Sequence, residues 1–183
     1  MNQPSALRPV WLSVAGPIDQ SLFSRLLATF AGVMRDGFDE AHLLIQSNGG
    51  FISDGVAISN FLTAAPLRIN TYNMGHVGSI AVPVFLSGTK RIAAENATFM
   101  IHCPFVSGTG GNASAIAAAS NSLRIDEDRT ANLLRNSLTL PDEKWRMYAT
   151  HDLTLTAQEF VQYGGAHEIG LFSPPAGAPF FNI

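Results

Sequence analysis

The 183-residue sequence predicts one α/β domain, and three observations predict it. Apolar residues switch repeatedly between strand-like and helix-like spacing along the chain. Helix-like segments fall between strand-like ones, which is the order of an α/β fold. Length suits one domain over residues 1–183, and no repeat or linker divides it.

The elements follow in order. "VWLSVAG" reads as a strand. Asp19 is placed to cap a helix whose Leu22, Phe23, Leu26, Leu27 and Phe30 share one face. "HLLIQSNGG" is a short strand ending in a turn, and "SDGVAISNFLTAA" a helix with Ser53 or Asp54 near its cap. "LRINTYNMG" is the next strand. "SIAVPVFLSG" is a short buried helix that tolerates Pro83 in its first turn, where the missing N–H has no intrahelical partner. "KRIAAENATFMIHCP" reads as two short strands around a turn. A long helix-favouring stretch follows, then a helix with Pro141 in its first turn, then strand-like "LTLT". "AQEFVQYGG" is a helix closed by glycine, and "AHEIG" a last extended piece. The Pro/Gly-rich tail, 171–183, is expected to lie over the body.

Composition excludes several functions. Charged residues are 14% of the chain, against about 25% in a typical globular protein. So charge-poor a surface implies that other subunits cover part of it. Net charge is −3 and no run of Lys or Arg occurs, which argues against nucleic acid or an anionic membrane as partner. The lone Cys103 rules out an internal disulfide and a Cys-based zinc site and fits a reducing compartment such as the cytoplasm. No His/Asp/Glu spacing suggests a metal, and no phosphate-binding loop signature is present. The N-terminus does not read as a signal peptide, and no apolar run reaches the roughly 18 residues of a membrane span.

Three stretches could carry chemistry. In "YNMGHVGSIAVPVF", Gly75 and Gly78 make a tight strand-to-helix turn that exposes the Ser79 hydroxyl beside free N–H groups of a helix start. Ser79 there is a helix cap or a nucleophile. His102 ends an apolar strand and is stopped by Pro104, so it either projects into a cleft or sits in the core, bonded to a carbonyl. His76 lies in the turn and should point away from the hydroxyl. "SNGG", Ser47–Gly50, is a plain turn or a backbone donor set for a substrate carbonyl.

Taken in order, "IQSNGGFISDGVAISNFL", "NTYNMGHVGSIAVPVFLSGTKR", "ENATFMIHCP" and "HDLTLTAQEFVQYGG" resemble the proteolytic subunit of the Clp protease, the ClpP family. The resemblance runs over roughly residues 10–170. It implies a ClpP/crotonase-like spiral of strand-strand-helix units with a protruding handle helix at 112–138. It implies a serine endopeptidase acting on peptides or unfolded proteins, with Ser79 as nucleophile, His102 as general base and Asp152 orienting the histidine. The N–H groups of Gly50 and Ile80 would form the oxyanion hole, and an extended substrate would run along Phe51, Ile52 and Cys103. It further implies self-association into rings and no cofactor in this chain, ATP being used by a separate unfoldase.

The chain departs from the family at four places. Nothing before Pro9, in the extension 1–9, matches the axial loops and leading helix, which argues against docking of a Clp-type ATPase. Asn48 stands where proline is usual, His151 replaces the arginine before the aspartate, and the segment before Lys90-Arg91 is two residues shorter. Two other readings compete with an active peptidase. One is a catalytically silent member that builds or regulates a mixed ring. The other is a crotonase-like enzyme binding acyl-CoA.

Overall fold

The computed structural model describes residues 7–106, 108 and 110–183. Most of the extension 1–9, namely residues 1–6, lies outside the described residues.

Strand β1 (Pro9–Ala15) alternates Val10, Leu12 and Val14 inward, and β2 (Glu40–Gln46) does the same with Ala41, Leu43 and Ile45. Helix α1 (Gln20–Arg35) joins them. Its cap is the expected one: the Asp19 carboxylate accepts the Leu22 N–H at 2.8 Å. Leu22, Leu26, Phe30 and Val33 form its buried stripe. Helix α2 (Ile52–Ala64) starts two residues earlier than Ser53 as cap would require, and three earlier than Asp54 would. Phe51 holds the cap position with no side-chain bond. Strand β3 (Arg68–Asn73) then adds to the sheet, and the short strand β4 (His76–Gly78) occupies what reads in the sequence as a turn.

Helix α3 (Ala81–Leu86) is buried on every side, as its unbroken apolar run dictates. Strands β5 (Lys90–Ala93) and β6 (Thr98–Ile101) are the two short strands expected around a turn, and they join different sheets. The long helix α4 (Ala113–Arg135) is capped by Asn112 and buries only Thr130 and Leu134, so most of its length stands clear of the body. Helix α5 (Asp142–Thr150) begins one residue after Pro141, which holds the cap position rather than the first turn. Strand β7 (Leu153–Thr156), helix α6 (Ala157–Gln162), β8 (Glu168–Ile169) and β9 (Phe180–Asn182) complete the chain.

The main sheet is parallel throughout, in the order β8-β5-β3-β2-β1-β9. A second sheet, β4-β6-β7, is tied to it by a bridge from Ser47 to Val77. Helices α1, α2 and α3 cover the inner face. Phe85, Phe99 and Phe160 bind α3, β6 and α6 together, the last two rings stacked at 3.7 Å. On the outer face Trp11 stacks on His42 at 4.6 Å, and the His42 Nδ1 lies 2.7 Å from the Tyr72 hydroxyl. The tail lies over this face, as expected, with Phe172 packed on Tyr72. It also does something its composition does not announce: it ends as β9, the sixth strand, against β1.

The β7–α6 junction carries a full capping box. Thr156 Oγ1 accepts the Glu159 N–H, and Glu159 accepts the Thr156 N–H at 2.9 Å. Lys144 on α5 donates to the same carboxylate at 3.0 Å. The Thr156 N–H first and Lys144 second hold the Glu159 carboxyl below its ordinary range. Because the folded-state pKa lies below the unfolded one, this stabilisation is complete above the unfolded value and is lost as pH falls through the folded one. Glu159→Gln keeps an acceptor for the Thr156 N–H and loses only a solvent-screened charge, so it should cost about 0.5 kcal/mol or less at neutral pH. The two proteins should melt together in acid, which thermal unfolding at both pH values would check.

Candidate active site

Ser79 sits between β4 and α3 and is the only non-glycine with positive φ among the described residues, at +54°. Such a conformation costs about 1–3 kcal/mol for a side-chain-bearing residue. It persists because both backbone groups are engaged. The Ser79 N–H donates to the Met100 carbonyl at 2.7 Å, and its own carbonyl accepts the Val82 N–H at 3.0 Å. Ser79 is thus not the helix cap; Ile80 holds that position, and the left-handed turn one residue earlier is what lifts the hydroxyl. Gly78 lies beside it, and a Cβ there would stand 2.7 Å from His76 Nε2, so the imidazole would have to shift. His76 itself is held by Thr98 Oγ1 at 2.9 Å, away from Ser79 as its place in the turn suggests.

Strand β6 supplies the partner. Met100 fixes the Ser79 backbone, and His102 follows two residues later on the same side of the chain. His102 Nε2 lies 2.8 Å from Ser79 Oγ, within reach for proton transfer.

The double glycine closes over this pair from the other side. A Cβ on Gly49 would stand 2.6 Å from Ser79 Cβ, and one on Gly50 2.2 Å from the Ile18 carbonyl oxygen. Gly49 donates to Ser47 Oγ and accepts from Ile18, while Phe51 donates to the Ile18 carbonyl at 2.8 Å. Between them the Gly50 N–H has no acceptor among the described residues, and neither has the Ile80 N–H at the start of α3. Two unengaged N–H groups flanking a hydroxyl are what an oxyanion needs. Gly55 on α2 lets Ile80 sit so close, because a Cβ there would strike Ile80 Cγ1 at 2.3 Å. A helical glycine carries no such signal in sequence.

Asp152 lies between α5 and β7, exposed, on the wall of a hollow of about 280 Å³ that also includes His102, Cys103, Phe105 and Tyr148. No hydrogen bond joins it to His102 among the described residues. His151 is held by Thr150 Oγ1 at 2.8 Å. Two of the three expected triad members are thus paired, and the third stands on the same wall.

Along the expected substrate path, Phe51 is 71% exposed, Ile52 opens α2, and Cys103 is half-buried in the same wall as His102. The backbone after the double glycine turns into α2 at once, so the extended stretch there is limited to Gly50 and Phe51. Burial pushes the Cys103 thiol up, which disfavours a thiolate competing with Ser79. Two aromatic residues near the site carry no signal in the sequence. Phe105 is 71% exposed and tilts against His102 at 5.6 Å, and Tyr148 brings a buried phenol beside Cys103. Among the described residues, no group of three or more His, Cys, Asp or Glu could hold a metal ion, and no helix is long and apolar enough to cross a membrane.

Comparison with known proteins finds similarity along most of the chain. The Clp protease family model matches residues 5–171. The ATP-dependent Clp protease proteolytic subunit of Streptococcus salivarius is 28% identical over 163 residues, 86% of this chain and 83% of that one. The corresponding subunit of Paracoccus denitrificans is 28% identical over 153 residues, 82% and 76% of the two chains. Subunit 1 of Mycobacterium leprae is 32% identical over 131 residues, 70% and 65%.

Proposed function

The chain belongs to the Clp protease family, and from that membership we propose that it is a serine endopeptidase of peptides and unfolded proteins, with Ser79, His102 and Asp152 as its triad. The observation that carries the reading is the 2.8 Å approach of His102 Nε2 to a hydroxyl held in a left-handed turn. His102 takes the Ser79 proton as Oγ attacks a peptide carbonyl. The oxyanion is received by the Gly50 and Ile80 N–H groups, each such donor being worth about 3–4 kcal/mol. His102 then gives the proton to the departing amine, and water releases the acyl group by the same steps. Asp152 would hold the imidazole from its Nδ1 side.

The working form in this proposal is a cytoplasmic ring of self-associated copies, with the long α4 as the handle. No cofactor is required. ATP, if used, is hydrolysed by a separate unfoldase chain. One observation favours a second reading, a catalytically silent ring member: Asp152 is not bonded to His102.

A fluorophosphonate probe separates the two. The active reading expects an adduct on Ser79 Oγ, located by mass spectrometry, together with cleavage of short peptides. A folded protein that takes no label and cleaves nothing overturns it in favour of the silent member.

A further inference from the structure

We infer that the hollow beside Gly50 is a side-chain subsite selecting a basic residue of the substrate, with Asp54 as its discriminating carboxylate; this rests on the peptidase reading. The hollow measures about 350 Å³ and is lined by Gly50, Phe51, Ile52, Asp54, Phe105 and Asp126. Gly50 supplies the oxyanion N–H, so a peptide whose carbonyl is under attack places the adjoining side chain here. Phe51 and Phe105, both largely exposed, offer two aromatic walls. Apolar walls alone would favour an apolar side chain. The carboxylates change that preference.

Arg129 on α4 already uses its Nη2 for two contacts, while its Nε is buried without a partner. It donates to Asp126 at 2.8 Å and to Ser53 Oγ at 2.9 Å, tying α4 to α2. One guanidinium against the carboxylates of Asp54 and Asp126 leaves one negative charge. That charge falls to Asp54, which has no ion pair or hydrogen bond among the described residues. A lysine or arginine side chain meets both features. Its aliphatic stem lies along the phenyl rings, and its head reaches the carboxylate. An acidic side chain would face Asp54 uncompensated, and an aliphatic one would leave the carboxylate desolvated and unpaired.

The test is a series of fluorogenic peptides that differ only in the residue before the reporter: Lys, Arg, Leu or Glu. The wild type should cleave the Lys and Arg members with kcat/KM roughly tenfold above Leu, and Glu slowest. Asp54→Asn should remove most of that ratio, and Asp54→Lys should move the preference toward Glu. Asp54 also lies in the first turn of α2. If its role were only to stabilise that helix, Asp54→Asn would lower the melting temperature and leave the ratios unchanged, which overturns the subsite. A Leu preference that Asp54→Asn does not alter also overturns the subsite while leaving the peptidase reading standing. No cleavage of any member together with no label on Ser79 overturns both.

Discussion

Ser79→Ala should lower kcat/KM for short peptides by about 10,000-fold or more, with little loss of stability. The first half follows from the nucleophile's role: without Oγ, His102 has no proton to accept, and only the backbone donors remain to assist water. The second half follows from the turn. The left-handed conformation at residue 79 is imposed by the Met100 carbonyl and the Val82 N–H, which bond backbone and not side chain. Alanine keeps those bonds and inherits the same strain. Glycine would adopt φ = +54° without a Cβ penalty. Ser79→Gly should therefore be as inactive as Ser79→Ala yet melt at a higher temperature. Such a pair would show that the fold stores strain at this position to present the hydroxyl. Residual activity within tenfold of wild type in either variant would remove Ser79 from the mechanism.

The reach of the sequence is explained by which features are local. Asp19 as a cap, the stripe on α1 and the all-apolar α3 are short-range patterns, and each stands where its residues indicate. Strand β4 has three residues, too few for alternation to show. Strand β9 exists through pairing with β1 some 170 positions earlier in the chain, so nothing in its own composition marks it. At the site, Ser79 and His102 are legible because glycines and a proline punctuate them. Asp152 is legible only through family resemblance, since an aspartate before a strand ordinarily reads as a turn residue. Gly55 and Phe105 matter through contacts with Ile80 and His102, which are tertiary facts. Asp54 reads as a helix-start acid, and its second use emerges once Phe51, Phe105 and Asp126 gather around it.

Gly49→Ala should slow both labelling of Ser79 and peptide cleavage by about 100-fold, and cost about 1–3 kcal/mol of stability. Its φ is +100°, which strains any residue bearing a Cβ. The added methyl would stand 2.6 Å from Ser79 Cβ, 3.0 Å from the Gly78 carbonyl oxygen and 3.1 Å from Ser79 Oγ. Something has to yield, and Gly49 is poorly placed to do so. Its N–H is bonded to Ser47 Oγ and its carbonyl to the Ile18 N–H, so a shift would break the link between the double glycine and the β1–α1 turn. The hydroxyl of Ser79 is the softer element, and its displacement lengthens the 2.8 Å approach to His102. Proton transfer is sensitive to that distance, whereas overall folding is less so, which is why activity should fall further than stability. Gly110 is the control: a Cβ there meets nothing within 4 Å, and Gly110→Ala should change neither quantity. Wild-type labelling of Gly49→Ala would mean that the glycine turn does not bear on the nucleophile, and the Gly50 N–H would lose its claim to the oxyanion along with it.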